Sequence, residues 1–229
     1  ENEAQREWRA AFERAGILVY QFSGVPVTEA RGLSVFDRRR PMILLNGKDS
    51  VRARCFTLFH ELGHLVLGAF AVCDQREKPG DPDREAECNR LAGLALVPGN
   101  ALASALEGVP KDLVVSDDTL ERLARHFWTS REVVLRRLRD TDRVSAATYE
   151  SWKGRRESEA KPRRPGGFAP VHRRVISRVG RPFVQLVLDA WHYDAITGSD
   201  VADFLGVNLK HLPAIERTLA ADPGSEGAA

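Results

Sequence analysis

Apolar positions recur with helical spacing at the start of the chain: Trp8, Ala11, Phe12 and Ala15 form one stripe of Glu3 to Ala15, and Gly16 ends it. Three short β-rich runs follow, Ile17 to Phe22, Gly32 to Phe36 and Pro41 to Asn46, separated by Gly, Pro and charged turns; together they predict a small sheet. From 50 to 68 the pattern returns to helical spacing, with Phe56, Leu58, Phe59, Leu62, Leu65, Val66 and Leu67, and Gly68 as the stop. An apolar surface this broad predicts a buried helix. A polar segment, Asp74 to Asp83, reads as a loop, and a further helix is expected from about Arg84 to Leu96, closed by Val97-Pro98-Gly99.

Beyond residue 110 the pattern is helical throughout. Thr119 to Phe127 and Ser130 to Arg139 predict a helix pair around the turn Trp128-Thr129, with Ser130 as N-cap. Its apolar positions are Leu120, Leu123, Ala124, Phe127, Val133, Val134 and Leu138, with Arg122, Arg125, Arg131, Arg136, Arg137 and Arg139 expected outside. Ala147 to Pro170, rich in Arg, Lys, Gly and Pro, reads as linker. Val175 to Trp191 predicts one helix, Ser199 to Leu219 a helix broken at Leu205-Gly206-Val207, and the tail from Asp222 is expected to fray.

Composition narrows the class. At 229 residues the chain can bury a real core. It has no apolar run long enough to cross a membrane and no signal-peptide pattern, so a cytoplasmic location with no membrane partner is expected. Three cysteines argue against a disulfide framework. The first residue is Glu1 rather than methionine, which suggests a processed or excised piece. The net charge of +2 is a cancellation: residues 1–110 carry −1, residues 111–181 carry +8 and residues 182–229 carry −5. A basic middle of this kind raises the prospect of a polyanionic partner.

The chemistry concentrates at His60-Glu61-Leu62-Gly63-His64. Two histidines at i and i+4 project from one helical face and can share a metal ion, while the intervening Glu61 is placed to accept a proton from the attacking water. A catalytic zinc keeps three protein ligands and one open position. The third ligand is sought in Arg84-Glu85-Ala86-Glu87-Cys88-Asn89, whose two glutamates point to different sides. The expected core stripe, Cys88, Leu91, Ala92, Ala95 and Leu96, shares its face with Glu85, which is therefore favoured over Glu87. Cys55 and Cys88 read as packing, whereas Cys73, just beyond the metal helix, is a candidate inhibitory ligand that would occupy the open zinc position.

Phe56-Thr57-Leu58-Phe59-His60-Glu61-Leu62-Gly63-His64-Leu65, with Glu85-x-x-Cys88-Asn89-Arg90-Leu91-Ala92 and Leu96-Val97-Pro98, resembles the ImmA/IrrE family of metallo-endopeptidases over about residues 5–140. Val97, where a methionine is common, and the second glutamate, Glu87, depart from the pattern. The resemblance implies an α+β fold with a zincin-like peptidase core, a small sheet, the histidine-bearing helix and a helical C-terminal region. It implies Zn²⁺ held by His60, His64 and Glu85, with Glu61 as general base. It further implies a cytoplasmic enzyme that cleaves a partner repressor bearing a helix-turn-helix domain, derepressing stress, DNA-damage, mobile-element or phage-defence genes. The domain expectation is a peptidase core at 1–110, a basic helix-turn-helix-like segment at 111–143, a basic linker at 144–174 and a helical region at 175–229.

Other features remain to be placed. Arg155, Arg156, Arg163 and Arg164 are candidate nucleic-acid contacts, with single-stranded DNA as a candidate activator. The helix pairs at Thr119–Arg139 and Asp200–Leu219 are candidate DNA readers, and packing around the core is the favoured alternative for the second, which has little positive charge. The run Pro41–Asn46 is a candidate edge strand for an extended substrate. Tyr20 and His126 are candidate oxyanion donors that nothing in the sequence separates. The competing functional class is a DNA-binding regulator with a structural zinc or a vestigial peptidase site.

Overall fold

Gly16 takes a left-handed φ of +87° and ends helix α1 (Asn2–Arg14), after which the chain enters strands β1 (Leu18–Phe22), β2 (Gly32–Val35) and β3 (Met42–Asn46). Helices follow: α2 (Val51–Ala71), α3 (Pro82–Leu96), α4 (Gly99–Ala105), α5 (Asp117–His126), α6 (Arg131–Asp140), α7 (Ala146–Ser158), α8 (Val171–Val179), α9 (Arg181–His192), α10 (Gly198–Leu205) and α11 (Leu212–Ala221). This computed structural model describes residues 2–71, 81–158 and 170–221. The fold is α+β. Two compact units are present, one of Glu1–Gln5 with Asp49–Pro165 and one of Arg6–Lys48 with Gly166–Ala229.

The unit built on Arg6–Lys48 contains the sheet, in the order β1-β3-β2. Strand β1 runs parallel to β3, with Leu18 opposite Met42 and Phe22 opposite Asn46; β2 runs antiparallel to it, with Gly32 opposite Leu45. The expected edge strand at Pro41–Asn46 is therefore the central one. Pro41 precedes the strand, where its missing N–H costs no ladder bond and its carbonyl accepts the Leu18 N–H at 2.9 Å. The fully buried Asn46 amide donates to the carbonyls of Val25 (3.0 Å) and Ala30 (2.8 Å), which fixes the connection between β1 and β2.

Helices α8 to α11 bury Val175, Val184, Val187, Leu188, Val201, Leu205, Leu212 and Ile215 in one core, and Tyr20 of β1 packs against it. The single helix expected over Val175–Trp191 is two, because Gly180 adopts φ +86°, which no continuing α-helix allows. The side chains of Glu13 and Arg9, themselves paired at 2.9 Å, fill the space a Cβ on Gly180 would need. The break at Gly206 is as expected, at φ +55°, and Thr197 with Asp200 forms a capping box ahead of it. The apolar face of this second helix pair is turned into the core.

In the other unit, α2 continues through Gly68 to Ala71 because Gly68 does not take the left-handed conformation that would cap a helix. Ser116 and Ser130 cap α5 and α6. Helix α6 buries Val133, Val134, Leu135, Leu138 and also Arg137, which was expected outside. Arg137 is 4% exposed; its stem lies against Gly93 and its Nε donates to the Val97 carbonyl at 3.1 Å, so it ties α6 to the end of α3. The first part of the expected linker, up to Ser158, lies in α7, where Tyr149 and Trp152 are buried and the Arg139 guanidinium lies 4.8 Å from the Tyr149 ring; residues 159–169 of it lie outside the described residues. Two aromatic anchors one turn apart outweigh the basic, glycine-containing composition around them.

Candidate metal centre

Helix α2 presents His60 and His64 one turn apart, with ring centroids 4.8 Å apart and Nε2 atoms 3.1 Å apart. Helix α3 supplies the opposing group. Asp81 caps its N-terminus by accepting the Asp83 N–H, Pro82 occupies the first turn, and Glu85 lies in that turn, where the helix dipole favours negative charge. Glu85 Oε2 stands 3.3 Å from His60 Nε2, and Oε1 stands 3.3 Å from His64 Nε2. These are the three residues among those described that could jointly hold a metal ion.

The close approach of α2 and α3 depends on small residues. A Cβ on Gly63 would lie 3.0 Å from Cys88 Sγ and 3.1 Å from Cys88 Cα. Gly63 is the residue just before His64, and Cys88 lies one turn after Glu85, so this contact sets how far Glu85 stands from the histidine pair. Burial, with Glu85 and Glu61 nearby, pushes the Cys88 thiol up to about 11, so it stays protonated and acts as a small hydrophobe. Cys55 is also free and buried.

The donor set fits a zinc ion. Ligand atoms arranged tetrahedrally at about 2.0–2.1 Å from Zn²⁺ stand about 3.3–3.4 Å from one another. The imidazole nitrogens stand 3.1 Å apart and each lies 3.3 Å from a different oxygen of the Glu85 carboxylate, distances close to that spacing. Burial first, and then the neighbouring His64, hold His60 below the ordinary histidine range, which keeps its ring neutral and able to coordinate. Glu61 is buried at 7% exposure on the same helix.

Glu87 is turned away: it holds Arg90 through contacts of 2.6 and 2.9 Å, and Arg90 keeps its carboxyl below the ordinary range. Of the two glutamates, the structure brings Glu85 to the histidines, and the stripe that was expected to share its face differs in detail. Cys88, Ala92, Gly93 and Leu96 are buried, and Ala95 is exposed. His126 is exposed at the end of α5, edge-on to Phe127 at 4.7 Å, and Tyr20 stands edge-on to Phe183 at 5.4 Å. Arg155 is exposed on α7, which also carries Arg156. Cys73, Arg163 and Arg164 lie outside the described residues. Asn89, half-buried one turn after Glu85 on α3, was not singled out in the sequence.

Residues 12–139 match the IrrE N-terminal-like domain of the M78 peptidases. Among solved structures, a Mycobacterium tuberculosis transcriptional regulator is similar at 18% identity and a TM-score of 0.43, over 59% of this chain and 41% of that one. The chain thus spans less than half of that regulator's length. No curated protein matches the chain.

Proposed function

The chain belongs to the M78 peptidase family, with its IrrE N-terminal-like domain, and on that premise we propose that it is a zinc-dependent endopeptidase that cleaves a helix-turn-helix transcriptional repressor. The observation that carries this reading is the convergence of His60 Nε2, His64 Nε2 and a Glu85 carboxylate oxygen beside the buried Glu61. Zn²⁺ held there supplies Lewis acidity to a peptide carbonyl and lowers the pKa of water. Glu61 takes a proton onto its carboxylate from the attacking water and returns it to the leaving peptide nitrogen. His60, His64 and Glu85 bind and orient, and the α2–α3 contact at Gly63 keeps their spacing fixed. Loss of the repressor would derepress stress, mobile-element or phage-defence genes, and the basic residues from Arg155 to Arg164 would let single-stranded DNA act as the activator.

The test is incubation with the helix-turn-helix repressor encoded beside it, with and without single-stranded DNA and with and without a zinc chelator. Wild type is expected to cleave the repressor, and Glu61→Gln to lose at least about 100-fold in rate, the scale of a missing general base, while keeping its zinc. Equal persistence of the repressor with wild type and Glu61→Gln under every condition would leave the alternative, a DNA-binding regulator whose metal is structural or whose site is vestigial.

A further inference from the structure

The two edges of the sheet are treated differently by the rest of the chain. At β1, the carbonyl of Val19 accepts a hydrogen bond from Arg9, and α8 packs against the strand. At β2, the described element that packs extensively against the strand is β3, and Leu33 and Val35 are 43% and 38% exposed. The register shows where the remaining ladder groups point. The Arg31 carbonyl accepts the Asn46 N–H at 2.8 Å, so Arg31, Leu33 and Val35 are the residues whose backbone groups face β3. The N–H and C=O of Gly32 and Ser34 therefore point to the open edge. Such a row of groups is a template for another strand, and edges are commonly blunted by charge or proline within the strand. Gly32–Val35 carries neither. Ser34 lies opposite the fully buried Ile43, whereas Leu33 and Val35 lie on the other face, opposite the half-buried Leu44 and Met42.

The turn after β2 adds charge to this strip. Phe36 is exposed, and the Asp37 carboxylate accepts the backbone N–H groups of Arg39 and Arg40 at 2.8 Å each. Arg38, Arg39 and Arg40 follow one another at the surface. Several other exposed arginines are matched by a carboxylate, as Arg90 is by Glu87, Arg125 by Glu121 and Arg139 by Asp140. The three of the turn form no ion pair with a described residue. Their charge is complementary to an acidic ligand. A phosphate backbone could meet the arginines, but it has no use for the outward backbone groups of Gly32 and Ser34 or for the apolar side chains between them. An extended peptide uses all three.

We propose that β2 and the turn after it form a docking strip for an extended acidic segment of a protein partner. The segment adds as a further strand beside β2 and pairs with the backbone of Gly32 and Ser34. Its side chains rest on Leu33 and Val35, and its carboxylates, at the end that passes Val35, meet Arg38, Arg39 and Arg40. The strip belongs to the sheet-bearing unit and uses none of the metal ligands, so the inference goes beyond the peptidase reading and does not depend on it.

The experiment selects ligands for the full chain from a phage-displayed library of random dodecapeptides, then measures the enriched peptide, synthesised with a fluorescent label, by anisotropy. Wild type should enrich peptides with Asp or Glu clustered at one end of an apolar or β-branched run. The triple variant Arg38→Ala, Arg39→Ala, Arg40→Ala should bind the labelled peptide about 10-fold more weakly at low salt, with a smaller difference at high salt, because exposed charge pairs are screened. Ser34→Pro removes an outward N–H at a position where an edge strand tolerates proline. It should weaken the peptide by about 10-fold, the scale of one or two lost hydrogen bonds, and leave zinc affinity unchanged. Should Ser34→Pro fail to fold, Val35→Lys, which places a charge on the exposed strand, replaces it. Selection in the presence of a zinc chelator should return the same peptides, which separates this outcome from the fate of the metal centre. A selection without acidic enrichment, or equal affinity in wild type and the triple variant, overturns the proposal. Undiminished binding by the strand variant also overturns it, by reducing the strip to a charged patch. Labelled oligothymidine bound by wild type and lost in the triple variant, with no peptide selected, would give the arginines to nucleic acid. A wild-type dimer that the strand variant turns into a monomer in sedimentation would give the edge to a second copy, and either result overturns the assignment.

Discussion

Glu85 and Glu87 carry the same side chain two positions apart on one helix, and the helix turns them to different partners. Glu85 is within 3.3 Å of both histidines, while Glu87 is held by Arg90 at 2.6 Å on the exposed side. Glu85→Gln should therefore weaken zinc binding by more than about 100-fold, because it removes a charged ligand and not merely a supporting group. Glu87→Gln should leave zinc binding and the urea midpoint unchanged, as a surface substitution. Chelator competition on the two variants checks this, and a loss confined to Glu87→Gln would reverse the assignment. Which of the two glutamates faces the histidines was legible in the sequence because helical phase alone separates residues two apart. Arg137 was not legible: a period of 3.6 residues marks which face is turned inward, but not that a stem against Gly93 and the Val97 carbonyl lets an arginine occupy that face.

At the scale of elements, two glycines of α2 make opposite demands. Gly63 stands where a Cβ would meet Cys88 Cα at 3.1 Å, a backbone atom that no side-chain rotation can move, whereas a Cβ on Gly68 would meet nothing within 4 Å. Gly63→Ala should destabilise the protein by about 1–3 kcal/mol, the usual cost of overpacking, and should weaken zinc binding by pushing α3, with Glu85, away from the histidines. Gly68→Ala, in the same helix and without a left-handed φ, should stabilise it by about 0.4–1 kcal/mol through the unfolded chain. Urea unfolding of both variants measures the pair of signs, and a destabilised Gly68→Ala or a neutral Gly63→Ala would contradict the packing described. The sequence placed both residues in one helical run and read Gly68 as its stop. Periodicity reports which residues belong to a helix; the neighbour each glycine admits comes from α3, which local pattern does not contain.

For the whole molecule, the distribution of packing is the feature furthest from the linear pattern. Strands from Arg6–Lys48 and helices from Gly166–Ala229 fold as one unit, although the helices that carry His60, His64 and Glu85 lie between them in sequence. Periodicity could give each strand and helix separately, since every pattern is local, but had no means of pairing stretches so distant. The physical link runs through Tyr20 of β1, which packs against the core formed by α8 to α11 and stands edge-on to Phe183, and through Arg9, which donates to the carbonyls of Val19 and Ser177. A cavity made near the end of the chain should therefore be felt near its beginning. Ile215 is fully buried in that core, so Ile215→Ala should cost about 2–5 kcal/mol. In native-state hydrogen exchange, the lost protection should appear in β1 and β3 as well as in α8 to α11, because a cooperative unit opens together. If α8 to α11 lost protection while amides of Leu18–Phe22 and Met42–Asn46 kept theirs, the two segments would be separate folding units and the shared core would carry no cooperative stability.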